Sequence, residues 1–219
     1  MIKGIIFDID GVILDSMGIW NDLGARYLLS IGKEPEEGLN TVLFSMSMEQ
    51  GAEYLKKHYK IRKSTAAILE GIRQMLESFY FNEVLVKPGV KELMEFFKSR
   101  GIRMTVATSS PRMHVEKALS RNGIYSYIEA LYTTSEIGVS KHSPDIFYKA
   151  AEYMTFDAHE VVVFEDSLYA LETAKKAGFK TVGVYDKEGE TDQEGVKTTS
   201  DLYVLGLDEV ITRWEELDK

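Results

Sequence analysis

Cysteine is missing from all 219 residues, which excludes a disulfide framework, a thiolate zinc site and a thiol nucleophile. An excess of positive charge is missing too. Lys and Arg number 26 against 35 Asp and Glu, a formal net charge of -9, and no dense Lys/Arg stripe interrupts the acidic balance. Nucleic acid and anionic membrane are therefore poor partners. An acidic chain can still bind phosphate, provided the site also holds a cation. No apolar run approaches the roughly 20 residues that cross a bilayer. The N-terminal run ends on acidic residues within eight positions, unlike a secretory signal, so the expected location is the cytoplasm. Proline is scarce at four residues, and three of them, Pro88, Pro111 and Pro144, stand where a helix is expected to begin. Internal repeats and low-complexity tracts are also absent.

What remains is 44% hydrophobic, enough for a buried core in one domain with a smaller insert. Residues 2–8 form a short apolar, β-rich run and read as a buried strand. Three helical patterns follow: Trp20, Tyr27, Leu28 and Ile31; then Met48, Ala52, Leu55 and Tyr59; then Ile68, Leu69, Ile72, Met75, Leu76 and Phe79. From about residue 85 the periodicity changes. Strands are expected at 102–108, 131–133, 161–164, 180–184 and near 204–205. Between them lie helices opened by Pro88-Gly89, Ser110-Pro111, Ser143-Pro144 and Ser167. Alternating strands and helices imply an α/β, doubly wound parallel sheet with a Rossmann-like core. The all-helical stretch after the first strand implies an inserted cap at 16–83, with the core made of 1–15 and 84–219.

In such a sheet, ligands bind beyond the carboxyl ends of the strands. The polar residues expected there are Asp8 and Asp10, then Thr108, then Glu165 and Asp166. Two carboxylates two residues apart on an extended chain face one space, and Mg²⁺ takes one or two carboxylates plus other oxygens. An Asp-Gly turn after a strand is the simpler reading of Asp10-Gly11 alone; a second acidic pair at another strand end favours a site. Lys141, just ahead of a helix, is either a surface lysine or a charge partner for a phosphoryl group. Thr108 offers a hydroxyl, and backbone N–H groups near Ser109 and Ser110 offer donors, although Ser110 also reads as an ordinary N-cap.

Taken in order, Phe7-Asp8-Ile9-Asp10-Gly11-Val12-Ile13-Leu14-Asp15-Ser16, Thr108, Lys141 and Phe164-Glu165-Asp166-Ser167 resemble the four motifs of the haloacid-dehalogenase-like hydrolases. The resemblance covers the whole chain. It is strongest to the branch holding β-phosphoglucomutase and small sugar-phosphate phosphatases, whose third motif is similar to Ser140-Lys141-x-x-Pro144-Asp145-Ile146-Phe147. It implies a Mg²⁺-dependent enzyme in which Asp8 is the nucleophile and a metal ligand, and Asp10 the general acid and base, its carbonyl also on the metal. Thr108, Ser109 and Lys141 hold the phosphoryl group. Asp166 binds the metal, with Glu165 supporting it directly or through water.

Three departures bear on function. His142 stands where the family usually has Pro. Trp20 stands where the mutases of this branch carry a cap His, and the segment 42–48 has neither the Gly nor the Arg of their phosphate-gripping loop. Trp20, Phe44, Met46 and Met48 are either an apolar lid or cap core. The expectation is a phosphatase of a small phosphorylated metabolite, a sugar or polyol phosphate, with a phosphosugar mutase as the alternative. A non-catalytic sensor is disfavoured because every catalytic position is filled, and Asp10 argues against dehalogenase and phosphonatase chemistry. A monomer is expected.

Overall fold

β1, Gly4–Phe7, is buried along its whole length, as a central strand covered on both faces must be. The computed structural model describes residues 1–44 and 46–218, with the backbone alone at Phe44. Beside β1 stand β2 (Arg103–Thr108), β3 (Ala130–Thr133), β4 (Val161–Glu165), β5 (Lys180–Val184) and β6 (Leu202–Val204). They form one sheet in the order β3-β2-β1-β4-β5-β6, and every pairing is parallel. The chain thus leaves β1 toward one edge and later returns to β1's other side. That reversal opens a crevice at the carboxyl ends of β1, β2 and β4. The last strand begins two residues and ends one residue earlier than the sequence suggests. Leu202 and Val204 point inward, whereas Leu205 is 65% exposed where the chain leaves the sheet.

By their contacts the residues divide into two units, Met1–Ser16 with Val84–Lys219, and Met17–Glu83. The second is helical: α1 (Gly18–Ser30), α2 (Leu39–Phe44), α3 (Met48–His58), α4 (Thr65–Ser78) and a π-helical turn, Phe79–Glu83. Ser47 and Gln50 cap α3 reciprocally, and Ser64 caps α4, so each start satisfies backbone donors that would otherwise be orphaned. The buried stripe of α1 runs through Ile19, Leu23 and Tyr27. Trp20 lies off it and is 47% exposed, so it is not part of this unit's core. Gly71 of α4 lets the Tyr27 ring approach; a Cβ there would lie 2.7 Å from Tyr27 Cε2.

In the first unit, α5 (Val90–Ser99), α6 (Arg112–Arg121), α7 (Thr134–Ile137), α8 (Asp145–Met154), α9 (Leu168–Lys176), α10 (Gln193–Thr199) and α11 (Asp208–Leu217) accompany the sheet. Alternation along the strands sorts the two faces. Ile6 and Val163 pack with Ile146, Phe147, Ala150 and Met154 of α8 and with Ala170 and Ala174 of α9. Phe7 and Phe164 instead meet Phe97 of α5, which packs on Trp214 of α11. The strand ends are thereby held between two filled layers, and the residues that follow them emerge at fixed positions.

Candidate active site

Asp8 follows β1 directly, and its N–H donates to the Phe164 carbonyl at 2.9 Å, so the extended path continues one residue beyond the strand. Ile9 is fully buried, which leaves Asp8 and Asp10 on the opposite side of the chain. Gly11 then turns at φ 76°, a left-handed conformation that a side chain would strain. The N–H groups of Ile13 and Leu14 return to the Ile9 carbonyl at 2.9 and 2.8 Å.

The turn delivers Asp8 into a buried charge cluster. Lys141 Nζ lies 2.5 Å from Asp8 Oδ1 and 2.5 Å from Glu165 Oε1, with Lys141 only 2% exposed. Of the two sequence readings for Lys141, the surface lysine is therefore incorrect. A ligand oxygen from each of Asp8, Glu165 and Asp166 lies within 4.8 Å of the others. Glu165 also accepts from the Ser167 hydroxyl at 2.9 Å. Among the described residues, no hydrogen-bond donor reaches Asp8 Oδ2 or the Asp166 carboxylate.

One ammonium among three buried carboxylates leaves an excess of negative charge. Burial pushes Asp8 up to about 7; Lys141 pulls it down, and Glu165 and Asp10 push it up again. Burial likewise pushes Asp166 up to about 9, reinforced by Glu165 and Asp8. Burial works against the Lys141 ammonium, but Asp8 and Glu165 outweigh it and the net shift is upward. A hard cation fits this donor set. The oxygens converge, Asp8 Oδ2 and both oxygens of Asp166 accept from no donor among the described residues, and a positive charge would relieve the repulsion that adds to the effect of burial on both acids.

A pH dependence of stability follows. A carboxylate with a raised folded pKa binds its proton more tightly when folded, so it favours the fold fully below the unfolded value near 4. That contribution is lost as pH rises through about 7 for Asp8 and about 9 for Asp166. Metal-free protein is thus expected to melt lower at pH 9 than at pH 6, and added Mg²⁺ to raise the melting temperature more at pH 9. Scanning calorimetry in EDTA and in Mg²⁺ at both pH values checks this; equal Mg²⁺ shifts would count against a cation in the cluster.

Asp10 lies beside the cluster but its carboxylate turns elsewhere. Ser16 Oγ donates to Oδ1 at 2.6 Å and Ser110 Oγ to Oδ2 at 2.5 Å. Ser110 is therefore not the N-cap of α6. Pro111 holds that position without a side-chain bond, and Ser110 is free to hold Asp10. Pro144, not Ser143, is the N-cap of α8. Thr108, at the end of β2, is fully buried and accepts from the Ser110 N–H at 3.0 Å, while Ser109 is exposed. Sequence reasoning missed the two serines as partners of Asp10. Ser16 sat inside the first motif, six residues on, but only the fold back through Leu14 shows that it returns. His142 is exposed, its ring 4.4 Å from that of Tyr169. Met48 is 40% exposed; the side chain of Phe44, also considered for a lid, lies outside the described residues. Arg26 donates to Glu83 at 2.9 Å and lies 5.7 Å over the Phe79 ring. Among the described residues, no helix is long and apolar enough to cross a membrane.

Residues 5–184 match the family model for haloacid dehalogenase-like hydrolases. A phosphorylated carbohydrates phosphatase of Thermotoga maritima is 27% identical over 180 residues, covering 82% of this chain and 83% of that one. Hexitol phosphatase B of Escherichia coli K12 is 23% identical over 211 residues, covering 95% and 94%. Among solved structures, a Thermotoga maritima protein provisionally assigned as a beta-phosphoglucomutase superposes with a TM-score of 0.87 at 25% identity, covering 98% of this chain and 99% of that one. Matched over most of its length, the chain belongs to the haloacid dehalogenase-like hydrolases.

Proposed function

We propose that this protein is a Mg²⁺-dependent phosphatase of a small phosphate monoester, of sugar- or polyol-phosphate type, working through an aspartyl-phosphate on Asp8. The observation that carries the reading is the buried Lys141–Asp8 pair inside a three-carboxylate cluster at the switch point of the sheet. A nucleophilic carboxylate must approach an anionic phosphoryl group, and the cluster supplies one fixed ammonium and room for a divalent cation to offset that repulsion. The relatives named for phosphorylated carbohydrates and hexitol phosphates support the substrate class.

Asp8, Asp166 and Glu165, with the Asp10 carbonyl, would hold the cation. When bound, it neutralises charge on the phosphoryl oxygens and favours the ionised form of Asp8. An Asp8 oxygen attacks phosphorus, and the bond from phosphorus to the leaving alcohol oxygen breaks. Asp10, protonated, gives that oxygen its proton. Asp10, now a carboxylate, takes a proton from water; the water oxygen attacks phosphorus, and the bond to Asp8 breaks. Inorganic phosphate and the Asp8 carboxylate are regenerated. Lys141, the Thr108 hydroxyl and the Ser109 N–H hold the phosphoryl oxygens. In this role Asp10 would exchange the Ser16 and Ser110 hydroxyls for the leaving-group oxygen.

The solved structure with the beta-phosphoglucomutase assignment favours a second reading, a phosphosugar mutase. Both chemistries begin with the same aspartyl-phosphate and differ in what attacks it. A mutase needs a basic residue for a second phosphate, because a buried dianion without a partner is costly. The segment 42–48 has none, Trp20 replaces the expected His, and Arg26 is engaged by Glu83. Hydrolysis is therefore expected to win. With β-glucose 1-phosphate and a trace of the 1,6-bisphosphate, free phosphate should form without glucose 6-phosphate. EDTA should stop its release from a panel of sugar and polyol phosphates, and Mg²⁺ should restore it. Rapid glucose 6-phosphate with little free phosphate would establish the mutase instead.

A further inference from the structure

Lys87 immediately precedes the Pro88-Gly89 start of α5. Around it the chain forms a short ribbon: Leu14 bridges Val86 in antiparallel fashion, the Asp15 N–H donates to Leu85 at 2.9 Å, and the Lys87 N–H donates to Ile13 at 2.8 Å. From that ribbon the Lys87 side chain, 15% exposed, reaches three acceptors. Its ammonium donates to the Gly11 carbonyl at 2.7 Å, to the Tyr185 carbonyl at 2.8 Å and to Asp186 Oδ2 at 3.0 Å. All three N–H bonds of the ammonium are thereby used. Two acceptors follow β5 and one follows Asp10, so one side chain ties the turn after β1 to the turn after β5.

The second turn is a wall of the carboxylate cluster. Asp186 is 6% exposed, and its other oxygen accepts from the Glu188 N–H at 2.9 Å. Three residues on, Gly189 lies so near Asp166 that a Cβ would stand 2.8 Å from Asp166 Oδ2 and 3.2 Å from Asp186 Cβ. Glycine permits that approach, and Lys87 through Asp186 holds the turn there. The ammonium also pairs with a buried acid whose charge is felt at Asp166.

We infer that Lys87 is a positioning residue for the divalent-cation site: it holds the Gly11 turn and the 185–189 turn in the spacing that lets Asp166 and the Asp10 carbonyl meet one ion. This rests on the cation reading of the cluster given above. Charge and positioning predict opposite outcomes when the ammonium is removed. By charge alone, losing a positive group near a cation site tightens cation binding. By positioning, the site loosens, as loss of an outer-shell partner typically costs about 10- to 100-fold in affinity.

The test is Mn²⁺ and Mg²⁺ binding to the full-length, metal-free protein without substrate, by electron paramagnetic resonance and by calorimetry. Parent, Lys87→Met and Lys87→Arg are compared. Lys87→Met is expected to weaken binding about tenfold or more. Lys87→Arg keeps the charge, but its flat fork cannot serve three convergent acceptors; it is expected to bind several-fold more weakly than the parent with a melting temperature close to it. Unchanged or tighter binding in Lys87→Met overturns the inference. If Lys87→Met does not fold, unchanged affinity in Lys87→Arg overturns it equally. Absence of binding in the parent would instead overturn the cation reading, and the inference with it.

Discussion

Asp8→Asn is expected to lower turnover by about 10⁵-fold or more, the scale seen when a nucleophile is removed from a covalent mechanism, while costing the metal-free fold nothing at pH 8. The two halves of that expectation come from one environment. Asp8 is 8% exposed and shares a pocket with Glu165 and Asp166, so its ionised form is unfavourable even with Lys141 at 2.5 Å. An amide has nearly the same shape, still accepts from the lysine, and carries no charge. It relieves the repulsion that raises Asp166, but it cannot attack phosphorus. Rapid-quench trapping of a phosphorylated protein with a labelled monoester should show the intermediate in the parent and none in Asp8→Asn. Urea denaturation in EDTA at pH 8 should give a midpoint equal to or above the parent's. Near-normal turnover would sink the covalent mechanism. A lowered midpoint would mean that the Asp8 carboxylate stabilises the fold, contrary to the charge excess described here.

How much of this was legible beforehand varies by residue. The strands read well because each is a short apolar run closed by a turn signal, and all six expected spans match within a residue or two at each end. The polar positions after β1, β2 and β4 follow from the same pattern, because a parallel sheet brings successive strand ends to one rim. Lys141 was harder. A lysine near a helix start is usually solvated, and only the family resemblance placed it in the site. Ser110 and Lys87 were not legible. Ser-Pro before a helix has a sufficient local explanation as a cap, and the pull of Asp10, 100 residues away in sequence, leaves no local trace. Lys87 acts across 98 residues to Tyr185, a separation that periodicity does not address. Trp20 misled for the opposite reason. It is one residue from the true stripe of α1, and apolar spacing alone does not separate a stripe from its neighbour.

Lys141→Met should destabilise the protein by about 3–5 kcal/mol at pH 8, the usual cost of removing one member of a buried ion pair, and should cut kcat/KM by about 10²- to 10³-fold. Methionine keeps much of the stem's volume, so the loss is one of charge. Lys141 is 2% exposed and donates to both Asp8 and Glu165; without it three carboxylates share a buried space with no counter-charge. Acid should lessen the cost. As pH falls from 8 toward 5, Asp8, raised to about 7, takes up a proton in the folded state, and the missing ammonium matters less. The gap in unfolding free energy between parent and variant should therefore narrow on acidification, as urea titrations at several pH values would show. Mg²⁺ should restore part of the stability, since it supplies positive charge to the same carboxylates. It should not restore activity, because saturating metal leaves the phosphoryl oxygen that faced the lysine without its partner. Full recovery of turnover in excess Mg²⁺ would make Lys141 a structural counter-ion alone. A stability gap that stays constant with pH would show that the carboxylates do not set the cost.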